Sequence, residues 1–389
     1  MDIRIPPKKL SGAVTPPPSK SMAHRVVLAQ MLSDKPGVIS NLDDSQDIQA
    51  TQRGGAALKA AVPGTLPLLD CGESGSTLRF LIPIALAVAG GGRFTGHGRL
   101  MERPQQPYFD IFAEKGISCT LENGILTVQG TLTAGVYTLP GNVSSQFVTG
   151  LLYALPLLAG DSEIRMTTPL ESRGYVDMTI DMLKQFGVQV ENRDYTVFRV
   201  PGRQAYLGQD CTIESDWSQA AFWYAANFLD NQLTIHGLNP KSAQGDMVIS
   251  EHYWKLARPG DTEIDVSDCP DLLPPLAVMA AVRSGATRFT NAARLRMKES
   301  DRLATTAAMV NALGGTAEEL PEELVIHGQP HLSGGTVDGA NDHRIVMAAA
   351  IAATACTAPV TILGAEAVNK SYPTFWKVYE ALGGEYHVL

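Results

Sequence analysis

The chain has 389 residues, a formal net charge of −9, 44% hydrophobic residues and 18% charged residues. A length above that of a single core predicts two domains, and this composition is typical of a globular protein rather than a disordered one. The net negative charge argues against nucleic-acid binding through a basic face.

The five cysteines are scattered and form no C-x-x-C pair, which indicates reduced thiols with neither a disulfide framework nor a zinc site. The N-terminal segment MDIRIPPKKL lacks the apolar core of a signal peptide, and no apolar run reaches the length of a membrane span. We therefore expect a cytoplasmic protein that binds neither membranes nor nucleic acids.

Six apolar runs recur along the chain, and each follows a polar residue that can cap a helix. In chain order they are SKSMAHRVVLAQML from Ser19, SGSTLRFLIPIALAVA from Ser74, SSQFVTGLLYALPLL from Ser144, SDWSQAAFWYAANFL from Ser215, SDCPDLLPPLAVMAAV from Ser267 and NDHRIVMAAAIAATA from Asn341. Side chains of Ser, Asp and Asn accept hydrogen bonds from the free N–H groups of a first helical turn. Each run is apolar on nearly every side, which is typical of a helix inside a core.

An amphipathic helix, a glycine and a strand pattern appear four times, starting at Phe109, Ile180, Met309 and Val378. Glycine supplies a left-handed helix cap, and the ENG and ENRD turns are hairpin signals. The repeats predict an α/β fold of six βαβαββ units, three in each of two domains, with the helices buried and the sheets outside. Parallel buried helices would bring their N-termini, each with about half a positive charge, to one anion-binding face.

Basic residues cluster at these helix starts and in the adjoining loops. They are Lys20, Arg25, Arg79, Arg103, Lys298, Arg302, Arg344 and Lys370. One such residue is usually a solvated charge. Together they predict a local site for a strong anion, because Arg offers bidentate geometry for phosphate and carboxylate and Lys a mobile charge.

Two short motifs combine these cations with acids. In KESDR, helical spacing would place Lys298 and Arg302 on one face and make Glu299 and Arg302 neighbours, which alone predicts an ordinary intrahelical ion pair. In NDHR, an N-cap and a structural pair between Asp342 and His343 are the simpler interpretation.

Asp271 in SDCPDLLPP is a candidate general base at the start of an apolar run. Burial would raise the pKa of this carboxyl, and nearby cations would lower it. As a lone residue it would more simply cap the helix or face its dipole. No Walker A loop, G-x-G-x-x-G opening, H-E-x-x-H pair or G-x-S-x-G elbow is present, which disfavours P-loop phosphoryl transfer and zinc hydrolysis.

Taken in order, the motifs resemble those of the 5-enolpyruvylshikimate-3-phosphate synthase family over essentially the whole chain. The matching motifs are PPSKSMAHR, GESGSTLRF, RLMERP, NVSSQF, ESRGYVD, SDCPDLLP, RMKESDRL, NDHR and NKSYP. The resemblance implies that the 5-hydroxyl of shikimate 3-phosphate attacks C2 of phosphoenolpyruvate, that C3 is protonated and that inorganic phosphate leaves. It also implies a monomer that uses no metal or organic cofactor.

The resemblance assigns the candidate residues by position. For shikimate 3-phosphate it implies Lys20, Ser21, Arg25, Ser144, Ser145, Gln146, Ser172, Tyr175, Asp271 and Lys298. For phosphoenolpyruvate it implies Lys20, Gly75, Arg79, Arg103, Gln146, Arg302, Arg344 and Lys370. In the implied chemistry Asp271 takes the hydroxyl proton, Glu299 exchanges the proton at C3, and Lys20 stabilises developing charge or shares the acid role.

The resemblance also implies a contiguous domain (19–213) on the side of the shikimate phosphate and a discontinuous domain (1–18 and 214–389). The latter would carry Asp271, Glu299 and the phosphoenolpyruvate-side cations, and the domains would close on the first ligand.

The sequence departs from the family in one loop. GESGST stands where many members have GNAGT, so Glu73, Ser76 and Thr77 replace Asn, Thr and Ala, and Phe80 stands where proline is common. The herbicide glyphosate occupies the phosphoenolpyruvate pocket in the family, and this departure leaves the response of the chain to glyphosate open.

Two alternative functions have to be weighed. The sister enzyme that transfers enolpyruvyl to UDP-N-acetylglucosamine shares the fold, but it typically has a reactive cysteine in a mobile loop and lacks the SKS…R opening. A non-catalytic polyanion-binding protein of the same fold would not need Asp271 or Glu299.

Overall fold

The computed structural model describes residues 1–62 and 64–389, which divide into two compact units. The contiguous unit is Pro18–Ile213, and the discontinuous unit combines Met1–Pro17 with Glu214–Leu389. None of the helices in these residues has the length and hydropathy needed to cross a bilayer.

Helices and strands alternate along both units. The α-helices are α1 (Lys20–Leu32), α2 (Gln46–Lys59), α3 (Gly75–Ala89), α4 (Gln106–Glu114), α5 (Ser145–Ala154), α6 (Arg173–Gln185), α7 (Trp217–Phe228), α8 (Ile249–Leu256), α9 (Leu273–Ala281), α10 (Arg302–Ala312), α11 (His343–Ala353) and α12 (Phe375–Ala381). Short 3-10 helices span Leu100–Glu102, Leu155–Leu157, Gly245–Val248, Pro270–Leu272, Ala293–Met297 and Ala365–Lys370. The strands are β1 (Ile3–Ile5), β2 (Ser11–Val14), β3 (Ile39–Ser40), β4 (Leu68–Asp70), β5 (Gly91–Thr95), β6 (Ser118–Glu122), β7 (Ile125–Gln129), β8 (Val136–Leu139), β9 (Ser162–Met166), β10 (Glu191–Arg193), β11 (Val197–Val200), β12 (Cys211–Thr212), β13 (Gln232–Ile235), β14 (Thr262–Asp265), β15 (Ala286–Thr290), β16 (Thr316–Glu319), β17 (Leu324–His327), β18 (Thr336–Asp338), β19 (Val360–Leu363) and β20 (His387–Val388).

Four sheets share one arrangement, in which a parallel strand pair is extended by two antiparallel strands. Their strand orders are β4-β5-β7-β6 and β10-β11-β9-β8 in the contiguous unit, and β14-β15-β17-β16 and β18-β19-β1-β20 in the discontinuous unit. Buried and exposed residues alternate along β8, β15 and β19, so one face of each sheet covers the helices and the other faces solvent. The predicted α/β fold, with helices inside and sheets outside, is confirmed.

Among the described residues, the remaining two sheets have only two strands each. They pair β12 with β3 and β13 with β2, both in parallel. The prediction of a complete βαβαββ unit in all six copies is therefore wrong for these two. The sequence contains the glycine-terminated helix and the following strand pattern only four times. Extending that pattern to six copies overestimated the number of strands in the other two copies.

Strand β1 completes the sheet that the C-terminal segment begins. Ile3 lies opposite Ile362 of β19 and Val388 of β20, both in antiparallel register. The N-terminal strand is therefore an inner strand of a sheet whose other members lie at the far end of the sequence.

The buried helices pack on one another inside each unit. In the discontinuous unit α7, α9 and α11 make mutual contacts, and in the contiguous unit α3 packs along α5. Helix α1 reaches both neighbours through Arg25, whose guanidinium lies 5.5 Å from the ring centre of Phe80 and whose carbonyl accepts a hydrogen bond from the Tyr153 hydroxyl at 2.9 Å.

Most of these helices begin where the polar residues predict. Ser19, Ser74 and Ser144 cap α1, α3 and α5, and each side chain accepts a hydrogen bond from a first-turn N–H. In α7 and α11 the caps are Asp216 and Asp342, one residue later than predicted. The capping chemistry is therefore as expected, since Ser and Asp are equivalent acceptors at this position.

Helix α9 is the exception, because it begins at Leu273 and not after Ser267. A 3-10 turn at Pro270–Leu272 precedes it, and Pro274 and Pro275 occupy its first turn. Proline has no N–H to donate and disfavours helical backbone in the residue before it. Prolines are tolerated at the start of α9 only because first-turn N–H groups have no partner within the helix.

Candidate functional site

The candidate residues form two groups, and each unit holds one. In the contiguous unit they are Lys20, Ser21, Arg25, Gly75, Arg79, Arg103, Ser144, Ser145, Gln146, Ser172 and Tyr175. In the discontinuous unit they are Asp271, Lys298, Glu299, Arg302, Arg344 and Lys370.

The starts of α7, α9 and α11 meet in the discontinuous unit. Arg344, at the second position of α11, donates from Nη2 to Ser218 Oγ of α7 at 3.0 Å and to Asp271 Oδ2 at 2.8 Å. Asp271 lies in the 3-10 turn that leads into α9. Three helix N-termini and a buried guanidinium therefore surround one carboxylate.

Asp271 is held by three cations. Its Oδ1 atom is 2.9 Å from Arg302 Nη1 and 3.6 Å from Lys298 Nζ, and its Oδ2 atom contacts Arg344. Burial on its own would raise the pKa of Asp271, but the charges of Arg344, Lys298 and Arg302 hold that pKa well below its ordinary value. Asp271 is therefore an ionised carboxylate at neutral pH, and it does not cap α9.

Arg302 connects the three acids of this cluster. Its Nε atom donates to Asp342 Oδ2 at 2.9 Å, Nη1 donates to Asp271 Oδ1 at 2.9 Å and Nη2 donates to Glu299 Oε2 at 2.6 Å. The side chain is 1% exposed. Burial opposes its charge, but the carboxylates of Asp342, Glu299 and Asp271 raise the pKa of Arg302. We call Asp271, Lys298, Glu299, Arg302, Asp342 and Arg344 the carboxylate cluster.

Two sequence-based interpretations change at this cluster. Helix α10 begins at Arg302, and Lys298 has extended backbone (φ −86°, ψ −160°), so the helical spacing predicted for KESDR is wrong. The predicted ion pair between Glu299 and Arg302 nevertheless forms. Asp342 caps α11, one residue later than predicted, and it also accepts hydrogen bonds from Arg302, 40 residues away, which no local spacing indicates.

The two candidate lysines of the discontinuous unit, Lys298 and Lys370, are mostly buried. Burial lowers the pKa of Lys298 to about 8, while the charge of Asp271 opposes that shift and Arg294 reinforces it. Lys370 ends a 3-10 helix, is 4% exposed and donates from Nζ to the carbonyl of Asn341 at 2.6 Å.

Arg25 of the contiguous unit donates its hydrogen bonds to neutral oxygen atoms. It donates from Nε to Thr179 Oγ1 at 2.9 Å, from Nη1 to the Ser21 carbonyl at 2.6 Å and from Nη2 to the Tyr175 carbonyl at 2.8 Å. Burial lowers the pKa of Arg25 to about 10, so the side chain remains charged at neutral pH. Ser172, in left-handed backbone (φ 55°), precedes α6 and fixes the turn that presents Tyr175.

Arg79 and Gln146 join the starts of α3 and α5. Arg79 Nη1 donates to Gln146 Oε1 at 2.8 Å, and Gln146 Nε2 donates to Ser76 Oγ at 2.9 Å. The Arg79 guanidinium lies 4.8 Å from the ring centre of Phe147. Ser145, the first residue of α5, is buried beside Gln146.

Gly75 allows Arg103 to approach the start of α3. A Cβ atom at position 75 would lie 2.5 Å from Arg103 Nη1 and 2.8 Å from Cζ, closer than real contacts allow. Glycine is therefore required for this position of the guanidinium, which is 7% exposed.

Lys20, at the start of α1, pairs with Asp47 at 2.7 Å. Asp47 lies in the first turn of α2 and is mostly buried. Sequence reasoning missed this carboxylate, because an acid in a first helical turn is common and nothing in its spacing connects it to Lys20.

No group of three or more His, Cys, Asp and Glu side chains that could hold a metal ion occurs in residues 1–62 and 64–389. The five cysteines are free thiols, and burial raises the pKa of each of them.

Comparison with known proteins identifies the family. The family model described as EPSP synthase (3-phosphoshikimate 1-carboxyvinyltransferase) matches residues 5–379. A protein of Clostridium acetobutylicum named 3-phosphoshikimate 1-carboxyvinyltransferase is 44% identical over 419 residues, covering 99% of this chain and 98% of the relative. A Clostridium kluyveri protein of the same name is 45% identical over 415 residues, covering 98% and 97%.

Solved structures share the fold at lower identity. EPSP synthase from Acinetobacter baumannii superposes with a TM-score of 0.79 at 23% identity, covering 100% of both chains. The enolpyruvyl transferase NikO from Streptomyces tendae superposes with a TM-score of 0.78 at 17% identity, covering 99% of this chain and 98% of that one. The fold alone therefore does not distinguish one enolpyruvyl transferase from another.

The family match is nevertheless specific, because both the family model and the relatives above 40% identity extend over nearly the whole sequence. This chain belongs to the EPSP synthase family.

Proposed function

We propose that the chain transfers the enolpyruvyl group of phosphoenolpyruvate to the 5-hydroxyl of shikimate 3-phosphate and releases inorganic phosphate. The relatives that match it over its full length are named for this reaction. The observation that carries the proposal is the ionised carboxylate of Asp271, placed within 3.6 Å of Lys298, Arg302 and Arg344. A base surrounded by cations suits proton removal from an alcohol next to anionic substrates.

The proposed reaction conserves protons and phosphate. Asp271 accepts the proton of the 5-hydroxyl as the oxygen bonds to C2 of phosphoenolpyruvate, and a protonated Glu299 gives its proton to C3, which yields a tetrahedral intermediate. The proton on Asp271 later passes to the departing phosphate or to solvent. Glu299 then removes a proton from C3 while the bond between C2 and the phosphate oxygen breaks. Lys20 balances the charge that develops on the phosphate or shares the acid role.

The low pKa of Asp271 limits its strength as a base, but substrate binding would raise that pKa. A phosphoenolpyruvate carboxylate at Arg344 and Arg302 would compete for the positive charge that lowers the pKa of Asp271. The carboxylate would become more basic when the acceptor hydroxyl and phosphoenolpyruvate are both present. Proton abstraction would thereby be coupled to complete substrate loading.

Within each unit, we assign the substrate-binding residues as the family resemblance implies. In the contiguous unit Lys20, Ser21, Arg25, Ser144, Ser145, Gln146, Ser172 and Tyr175 would bind shikimate 3-phosphate, while Lys20, Gly75, Arg79, Arg103 and Gln146 would serve phosphoenolpyruvate. In the discontinuous unit Asp271 and Lys298 would serve shikimate 3-phosphate, while Arg302, Arg344 and Lys370 would serve phosphoenolpyruvate. Guanidinium groups and hydroxyls are suitable donors for phosphate and carboxylate oxygens.

The thiols disfavour the sister reaction on UDP-N-acetylglucosamine. Burial raises the pKa of all five cysteines, so none of them has the low thiol pKa of a reactive cysteine. The decisive test is phosphate release from phosphoenolpyruvate with shikimate 3-phosphate, with UDP-N-acetylglucosamine or with no acceptor. We expect release only with shikimate 3-phosphate. Folded protein that releases phosphate only with UDP-N-acetylglucosamine, or with neither acceptor, would overturn the proposal.

The finer properties implied by the family resemblance are also proposals. They are a monomeric state, a cytoplasmic location and binding of glyphosate at the phosphoenolpyruvate subsite. Light scattering, cell fractionation and a glyphosate titration with shikimate 3-phosphate present measure them in turn.

A further inference from the structure

None of the candidate substrate-binding residues lies in the first turn of α7. It opens the SDWSQAAFWYAANFL run, the fourth of the six runs with polar leaders. The other five runs each supply at least one candidate substrate-binding residue. In this run Asp216, Ser218 and Gln219 are all buried polar residues, each at most 4% exposed.

Ser218 connects Arg344 to Asp216. Arg344 Nη2 donates to Ser218 Oγ at 3.0 Å, and Ser218 Oγ donates to Asp216 Oδ1 at 2.6 Å. A guanidinium can only donate and a carboxylate can only accept, so the single hydroxyl proton of Ser218 has one direction available. The hydrogen bond to Asp216 therefore polarises the Ser218 hydroxyl, so that its oxygen is a better acceptor for Arg344 and fixes that side of the guanidinium.

Gln219, the next residue, holds the segment beside Lys370. Its Nε2 atom donates to Ser371 Oγ at 3.1 Å, across 152 residues of sequence, and Ser371 is 2% exposed. Ser371 directly follows Lys370, where the 3-10 helix ends. Two consecutive side chains of α7 thus contact Arg344 and the neighbour of Lys370.

We propose that Ser218 and Gln219 are positioning residues for the phosphoenolpyruvate-binding cations Arg344 and Lys370. This inference rests on the proposed function. The side chains of Asp271 and Ser218 both anchor Arg344. When Asp271 accepts the substrate proton it loses its charge and its hold on Arg344 weakens. The Ser218 contact does not change protonation, so it keeps Arg344 oriented while the intermediate forms.

The test compares Ser218→Ala with the wild-type enzyme in steady-state phosphate release and in calorimetric titration with phosphoenolpyruvate. Because a hydrogen bond to a charged group is removed, the KM for phosphoenolpyruvate should rise about ten- to a hundredfold, with the KM for shikimate 3-phosphate changed by less than about twofold. Gln219→Leu should produce a smaller rise of the same kind, since it acts through Ser371. Ser218→Thr keeps the hydroxyl and should restore most of the affinity.

Thr354→Ala is the matched control. Thr354 is a buried hydroxyl at the opposite end of α11, bonded to Asn231 and Ile351. It should lower the melting temperature about as much as Ser218→Ala without changing either KM.

The outcomes distinguish the positioning role of Ser218 from the proposed enzymatic function. Equal losses for both substrates, or kinetics like those of Thr354→Ala, would make Ser218 merely structural and overturn the inference while the proposed function stands. A wild-type protein that binds phosphoenolpyruvate without turnover would overturn the proposed function, and the calorimetric difference would still test the positioning role. A wild-type protein that does neither would overturn both.

Discussion

The two units hold their candidate substrate-binding arginines in different ways. In the carboxylate cluster of the discontinuous unit, Arg302 and Arg344 contact Asp271, Glu299 and Asp342 directly. In the contiguous unit, Arg25 and Arg79 donate hydrogen bonds to hydroxyl, amide and backbone oxygens, and both guanidinium groups lie against aromatic rings. Among the candidate residues of that unit, Lys20 pairs with a carboxylate, that of Asp47.

The two arrangements suit different functions, namely phosphate binding and control of carboxylate protonation. Cations with neutral partners keep their full charge for a ligand, which suits binding of a phosphate dianion. Cations that already neutralise carboxylates contribute less net charge, but they fix the protonation and orientation of those acids. We therefore interpret the contiguous unit as the stronger phosphate binder and the discontinuous unit as the place of proton transfer.

The largest expected effect is on catalysis in the carboxylate cluster. Asp271→Asn keeps the size of the side chain but removes the proton acceptor, so kcat should fall about a hundred- to ten-thousandfold. Substrate binding measured by calorimetry should be largely retained. Glu299→Gln should behave similarly and should also slow the exchange of solvent deuterium into C3.

The control is Asp338→Asn, which alters an exposed carboxylate of the same unit and should leave kcat unchanged. A loss of affinity in Asp271→Asn as large as the loss in kcat would make Asp271 a ligand and not a base.

The next effect is on stability and contrasts Arg302, which pairs with carboxylates, with Arg25, which donates to neutral oxygens. Arg302→Met would leave Asp342, which is fully buried, without its counter-charge and should lower the free energy of unfolding by about 3–5 kcal/mol. Arg25→Met removes an equally buried cation but leaves only neutral partners, and it should cost about 1–3 kcal/mol. Urea unfolding at neutral pH measures both, and equal losses would contradict the contrast between the units.

Ligand affinity provides the third comparison. Arg25→Ala should weaken shikimate 3-phosphate about ten- to a hundredfold, because it removes a charge-assisted contact, and should affect phosphoenolpyruvate much less. Isothermal titration with each substrate tests the assignment. If both affinities fall by the same factor, the division of substrates among the residues of the contiguous unit is wrong.

The smallest effect concerns pH. Burial lowers the pKa of Lys298 to about 8, so this lysine loses its charge as the pH rises through that value. At pH 9 about a tenth of it stays protonated, and the KM for shikimate 3-phosphate should rise by up to about tenfold relative to pH 7. Lys298→Arg keeps its charge throughout and should flatten this limb of the profile. An unchanged limb in that variant would assign the titration to another group.

The sequence indicated the repeated helices and their caps because both depend on local chemistry. Ser19, Ser74 and Ser144 cap helices as their residue types require. The start of α9 was misplaced because a serine cap signal competes there with three prolines, whose backbone restrictions prevail.

The partners of the candidate residues were less predictable than the residues themselves. Asp342 meets Arg302, and Asp47 meets Lys20, only because separate helices pack together. Neither pair has a helical or strand spacing, so a single sequence does not reveal them. The motif SDWSQ was visible as a helix start, but its contacts with Arg344 and Ser371 also arise from tertiary packing.

Strand β1 lies between β19 and β20, so residues synthesised before the contiguous unit pair with strands that are synthesised after it. All of the contiguous unit emerges from the ribosome in the interval and has its own core to fold around. Strand β1 therefore cannot pair with β19 and β20 until the contiguous unit has been synthesised and can fold. Nascent chains arrested before residue 360 should contain a folded contiguous unit and a discontinuous unit that still lacks β19 and β20.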